Sequence, residues 1–159
     1  MARSNYITRE GWQVLDDELK YLWKDERPKI TRSVSEAAAQ GDRSENAEYI
    51  YGKKRLREID RRVRFLMKRL EDLQIVYPEK QQEGKVFFGA WVTLINENDE
   101  QVTYRLVGPD EWDVKKGEIS IDSPMARALI GKRVDDEVVV KTPDGERTFD
   151  VVAISYKSP

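Results

Sequence analysis

Two acids three residues apart, Asp42 and Glu45, lie in the stretch GDRSENAEY, and Glu48 follows at the same interval. Carboxylates spaced in this way project from one side of a helix start. They can cap that helix, Asp42 as N-cap with Glu45 completing a capping-box-like pair. They can equally present hard oxygen ligands to a divalent cation. Mg²⁺ often takes one or two protein carboxylates and leaves its other positions to water or phosphate, and such an incomplete site makes sense only where a partner supplies the rest. With no cysteine and no histidine, disulfides, thiolate zinc sites, cysteine nucleophiles and the commonest general base are excluded. Any chemistry must run on carboxylates, lysines, tyrosines or hydroxyls.

A second constellation follows at once. From Lys53 to Arg69, nine of seventeen residues are Lys or Arg, against two acids, Glu58 and Asp60. Lys54, Arg57, Arg61, Arg64 and Lys68 fall at helical spacing on one outward stripe. A charge run is ordinarily a solvated face, but solvated faces alternate in sign, and like charges along one stripe repel. Arg62 and Arg69 are placed to pair with acids of the preceding helix, Asp25 and Asp16. The outward stripe has no such local explanation, and a nucleic-acid phosphate backbone is its natural counterpart. A third stretch, DSPMARALIG (122–131), reads as a capped short helix, with Ser123 as N-cap, Pro124 at the first position and Gly131 closing it.

The elements that position these groups follow from periodicity. Thr8 is a suitable N-cap, and Trp12, Leu15, Leu19, Leu22, Ile30, Val34 and Ala37 recur on one helical face. Pro28 should kink this helix or loosen one of its bonds; from Thr8 to Gln40 it would span about 50 Å. Gly41 suits the positive φ that ends a helix. Leu56, Ile59, Val63, Leu66, Leu70 and Leu73 then alternate spacings of three and four, a heptad seam. Reversal near Asp42 puts Leu15 by Leu70, Leu19 by Leu66 and Leu22 by Val63, an antiparallel coiled coil. Gly52 inside the second helix is a weak point, at about 1 kcal/mol relative to Ala.

Tyr77-Pro78 ends that helix, and 78–84 is a polar linker. Beyond it the period changes. Strands are expected at 86–95, 101–107, 118–122, 137–141 and 146–156, with the short helix between the third and fourth. The fold class is therefore α+β in two domains: residues 1–77 a coiled-coil hairpin with an acidic tip and basic flank, and 85–159 an antiparallel sheet covering one short helix.

The 159 residues carry a net charge of −2, but unevenly. Residues 1–77 hold 17 basic and 14 acidic side chains, net +3, and residues 78–159 hold 11 and 16, net −5. The basic half is the one expected to meet a polyanion. No apolar leader opens the chain and no long apolar run crosses it, so a cytoplasmic protein with no membrane partner is expected.

The combination of GDRSENAEY, KKRLREIDRRVRFL, QQEGKVFFGAWV and ISIDSPMARALIGK resembles the bacterial Gre transcript-cleavage factors over nearly the whole chain. The dense basic run favours the GreB type over the GreA type. The resemblance implies an FKBP-like second domain and a monomer that binds RNA polymerase at its secondary channel. It further implies that Asp42 and Glu45 are the catalytic acids, helping to hold Mg²⁺ jointly with the polymerase. The polymerase then cleaves the 3′ end of backtracked nascent RNA, so that the factor is a cofactor and not an enzyme. By the same resemblance Lys53, Lys54 and Arg57, with Arg61 beyond them on the stripe, meet the extruded RNA, and Asp122, Ser123 and Pro124 dock on the polymerase. Two alternatives remain: a channel-binding regulator without cleavage, favoured only if the tip lacked an acid, and a prolyl isomerase, suggested by the implied fold alone.

Overall fold

In the computed structural model, residues 3–41, 46–79 and 82–159 are described. The chain forms two compact units, residues 12–73 and residues up to Gly11 together with 74–159. The sequence boundary at Tyr77 differs from this, because the N-terminal segment packs with the later half of the chain.

The first unit is a helical hairpin. Helix α1 (Arg9–Tyr21) runs through a π-helical turn (Leu22–Glu26) into α2 (Arg27–Ala39), and α3 (Ala47–Asp72) returns. Thr8 caps α1, its Oγ1 accepting from Gly11 N–H at 3.0 Å. The π turn is the outcome at Pro28. Arg27 N–H reaches back five residues to the Leu22 carbonyl, so the ladder has already changed step where the proline lacks its donor. The turn also repairs the apolar stripe. From Leu22 to Ile30 is eight residues, which would rotate the face by about 80° in a plain α-helix. Absorbing one residue leaves seven, or two turns, and Ile30, Val34 and Ala37 rejoin the face of Leu15, Leu19 and Leu22.

The seam forms as its spacing indicates: Leu15, Leu22, Ala37, Ile59, Val63 and Leu66 are buried. Ion pairs lace its flanks, Arg27 to Asp60 at 2.8 Å and Arg55 to Glu26 at 2.6 Å. Arg62 pairs with Glu18 at 2.6 Å and not with Asp25. Glu18 borders the seam beside Leu19, whereas Asp25 sits exposed in the π turn. Asp16 takes Lys20 of its own helix at 2.8 Å, where the sequence reading gave it to Arg69.

Gly52 is not a weak point of this hairpin. It is buried, and a Cβ there would lie 2.4 Å from Val34 Cγ2, so its small size lets α2 and α3 approach. We expect Gly52→Ala to destabilise the chain by about 1–3 kcal/mol, outweighing the gain of up to about 1 kcal/mol in helix propensity. Denaturant melts read this directly, and a stabilised variant would contradict the close approach.

The second unit is built on a five-stranded sheet with the order β5-β4-β3-β7-β6. Its strands are β3 (Trp91–Asn96), β4 (Gln101–Val107), β5 (Glu118–Ser120), β6 (Glu137–Thr142) and β7 (Gly145–Ser155). Val92, Leu94, Leu106, Val138, Val140 and Val151 point inward and bury Ala126 and Leu129 of α4 (Pro124–Leu129). Each large side chain so buried contributes roughly 1.5–3 kcal/mol.

Three expectations are corrected here. The sheet is mixed, since β5 pairs parallel to β4, Arg105 opposite Glu118. The strand expected from Val86 begins only at Trp91, because Gly89 takes φ 85° and Ala90 N–H turns back to the Phe87 carbonyl. And α3 ends at Asp72 rather than Tyr77, with Gln74–Ile75 forming a two-residue strand, β2, parallel to β1 (Tyr6–Ile7). That pairing holds the N-terminal segment. Ile7 is fully buried, and a Cβ at Gly108 would meet the Tyr6 carbonyl at 2.1 Å.

Candidate functional site

At the turn of the hairpin, α2 ends at Ala39 and Gly41 takes φ 149°, a conformation that suits glycine. Asp42 and Glu45 lie outside the described residues. Helix α3 begins later than expected, at Ala47, and its N-cap is Asn46 rather than Asp42. The Asn46 Oδ1 accepts from Tyr49 N–H at 3.2 Å, while its Nδ2 donates to the Ala37 carbonyl at 2.8 Å. Sequence reasoning passed over Asn46 because Asp42 met the same capping preference first. Glu48, in the first turn of α3, is exposed. No group of three or more acids among the described residues could hold a metal, so within them no complete cation cage stands beside the turn.

Below the turn, eight of the nine basic residues of α3 separate into two sets. Arg55 and Arg62 face the π turn and α1 and are engaged. Arg55 grips Glu26 through two nitrogens, at 2.6 and 2.9 Å, and its hydrogen bonds hold that carboxyl below the usual range. Arg62 binds Glu18 likewise and lies over the Phe65 ring. Lys53, Lys54, Arg57, Arg61, Arg64 and Lys68 are all exposed, and none of them forms an ion pair among the described residues. Among the described residues, the stripe read from spacing is therefore a cationic surface without ion-pair partners. Beside it, Ile50 and Tyr51 are exposed apolar side chains.

The third set, Asp122, Ser123 and Pro124, opens α4. Ser123 caps it, accepting from Ala126 N–H at 3.2 Å, and Pro124 stands exposed at its start. Asp122 is half-buried and accepts from Ser4 N–H at 2.9 Å and from the Ser4 hydroxyl. Burial pushes its carboxyl up, but the Ser4 hydrogen bonds and the nearby Arg127 and Arg3 together hold it below the usual range. Asp122 therefore ties the N-terminal segment, and Pro124 is the freer neighbour. Next to the loop, Trp112, Val114, Ile119 and Ser120 border an open cavity of about 360 Å³; Trp112 and Val114 are exposed. Spacing gave no signal for this apolar surface, because its members come from separate turns and strands.

A second missed residue is Glu111. Its Oε2 accepts from Gly108 N–H at 2.7 Å and Thr8 N–H at 2.8 Å, and its Oε1 from the Thr8 hydroxyl. Gly11 makes room for it, since a Cβ there would lie 2.1 Å from Glu111 Oε1.

The Asp122 geometry has a pH consequence with a definite sign. A carboxyl whose folded pKa is lowered stabilises the fold above its unfolded value, near 4, and loses that contribution as pH falls through the lowered folded value. Wild-type chain should therefore lose more stability than Asp122→Asn between about pH 5 and pH 2. Melts across that window check it, and parallel curves would show that Ser4 does not hold the ionised form.

A family model described as "Transcription elongation factor, N-terminal" matches residues 5–75, and one described as "Transcription elongation factor, GreA/GreB, C-term" matches residues 81–156. The chain is 72% identical over 157 residues to the transcription elongation factor GreB of Yersinia pestis, covering 99% of this chain and 92% of that one. It is 69% identical over 156 residues to its namesake in Haemophilus ducreyi, covering 98% and 96%. Against that of Pseudomonas aeruginosa it is 61% identical over 155 residues, covering 98% and 92%.

Proposed function

The chain belongs to the GreA/GreB family of transcription elongation factors, and from that premise we propose that it stimulates RNA polymerase to cleave the 3′ end of backtracked nascent RNA. In this reading the hairpin enters the polymerase's secondary channel with Asp42 and Glu45 leading. These two carboxylates would hold a Mg²⁺ jointly with the polymerase and would orient a water toward a phosphodiester. The donor set suits that ion, because hard carboxylate oxygens in an incomplete shell leave positions for water and phosphate. When bound, Mg²⁺ would stabilise charge on the attacking and leaving oxygens.

The remaining residues bind and position. Lys53, Lys54, Arg57 and Arg61 neutralise phosphates of the extruded strand. Asp122, Ser123 and Pro124 belong to the surface that docks on the polymerase, where a loop fixed by proline and a serine cap loses little entropy on binding. The chain is then a cofactor of the polymerase's own cleavage, acts as a monomer and works in the cytoplasm.

The observation that carries this reading is the free cationic stripe on α3, running away from the turn that holds the two acids. An elongation complex carrying backtracked, end-labelled RNA tests it. Added protein should shorten the RNA from its 3′ end when both polymerase and Mg²⁺ are present, and release nothing from the same RNA when polymerase is left out. Cleavage without polymerase, or none with it, would overturn the proposal. The docking assignment has its own check. Pro124→Glu should raise the protein concentration needed for half-maximal cleavage, with full activity recovered at saturation and an unchanged circular dichroism spectrum. An unchanged concentration dependence would move docking away from this loop.

A further inference from the structure

The second unit holds a cavity of about 350 Å³, lined in part by Arg9, Glu10, Tyr77, Trp91, Arg105 and Tyr156. All of these residues belong to that unit, and the functional reading above uses none of them. Sheet register builds one wall. Trp91 on β3 stands directly opposite Arg105 on β4, and the guanidinium lies 4.0 Å from the centre of the Trp91 ring. Arg105 Nε donates to the Gly89 carbonyl at 3.2 Å. The head group is thus fixed on one face and at one nitrogen, while its two terminal nitrogens have no hydrogen-bond partner among the described residues.

Charge at this cavity is not balanced. Neither Arg9 nor Arg105 forms an ion pair among the described residues, although Glu118 lies opposite Arg105 on β5. Glu10 is the only acid among the lining residues, and it is exposed. Two guanidiniums therefore face one carboxylate. A guanidinium with free terminal nitrogens is suited to grip phosphate oxygens in pairs, and one already held in place loses little entropy on binding. The volume is larger than a phosphate alone needs and falls in the range of small-molecule sites. Tyr77, exposed, and Trp91, half-buried, add aromatic surface for a planar ring. We propose that this cavity binds a nucleoside 5′-phosphate, its phosphate on Arg9 and Arg105 and its base against Tyr77.

Calorimetric titration of the full chain with ADP, at constant ionic strength and without polymerase, tests the site. Saturable one-to-one binding is expected. Arg105→Met keeps a stem over Trp91 and removes the donors, and it should weaken binding about tenfold or more, the weight of a charged hydrogen bond. Arg9→Gln should act in the same direction; the side chain is exposed, so folding is not at stake there. Glu10→Gln removes the lone repelling charge and should tighten binding. Adenosine and inorganic phosphate, each supplying half of the contacts, should both bind more weakly than ADP. Neutralising Lys53, Lys54 and Arg57 should leave the affinity in place. Absence of saturable binding would overturn the inference. So would ADP binding that survives both arginine changes, or that disappears with the α3 stripe. Inorganic phosphate binding as tightly as ADP would contradict the contact to the base and overturn the assignment to a nucleotide.

Discussion

Replacing Asp42 by Asn, or Glu45 by Gln, is expected to lower stimulated RNA cleavage about a hundredfold or more, the scale on which one electrostatic contact to a developing charge acts. Polymerase binding should persist. The structure sharpens this expectation, because α3 starts at Ala47 and its N-cap is Asn46, so the cap itself comes from neither acid. The amide variants should keep the hairpin's melting behaviour and lose only chemistry. If both acids act on one ion and one water, the double variant should be little worse than either single one. Two fully active single variants would show that the carboxylates take no part in the reaction.

The second large effect is expected from the cationic stripe. Neutralising Lys53, Lys54 and Arg57 together should weaken cleavage of deeply backtracked RNA far more than that of shallowly backtracked RNA. These side chains are exposed and lie one to three turns into α3 from Ala47, where a short extruded strand ends before it arrives. Each phosphate contact to a single strand adds roughly 0.7 to the logarithmic salt slope. The triple variant should therefore lose up to about 2 in that slope on the long substrate. Equal losses on both RNAs, with an unchanged slope, would point to a defect in folding or docking.

The heptad seam and the strand alternation were legible in the sequence, because a buried face imposes its period on the residues that form it. Even the interruption from Leu22 to Ile30 carried information, since eight residues match the stripe only if the helix takes one π turn. The start of α3 was not legible. Asp42, Ser44 and Asn46 all suit an N-cap, and only the approach of the Ala37 carbonyl selects Asn46. The parallel pairing of β5 was hidden for a similar reason. The ten residues 108–117 between β4 and β5 are fewer than parallel neighbours ordinarily use, and the packing that permits it is tertiary. Strands of two residues, such as Tyr6–Ile7, are too short to show a period. Nor does anything local distinguish Glu111, which anchors Thr8, from other surface acids. The basic stripe was legible as well, since its spacing set Lys54, Arg57, Arg61, Arg64 and Lys68 apart from Arg55 and Arg62, which are engaged.

In the proposed mechanism, the turn between α2 and α3 stands beside the polymerase's catalytic cation. Fe²⁺ substituted for Mg²⁺ in that centre reduces added hydrogen peroxide to short-lived hydroxyl radicals, which cut only nearby backbone. With end-labelled protein bound to the polymerase, scission should fall at residues 41–46 and leave the strands of the second unit intact. Bound protein cut elsewhere, or nowhere, would contradict the account.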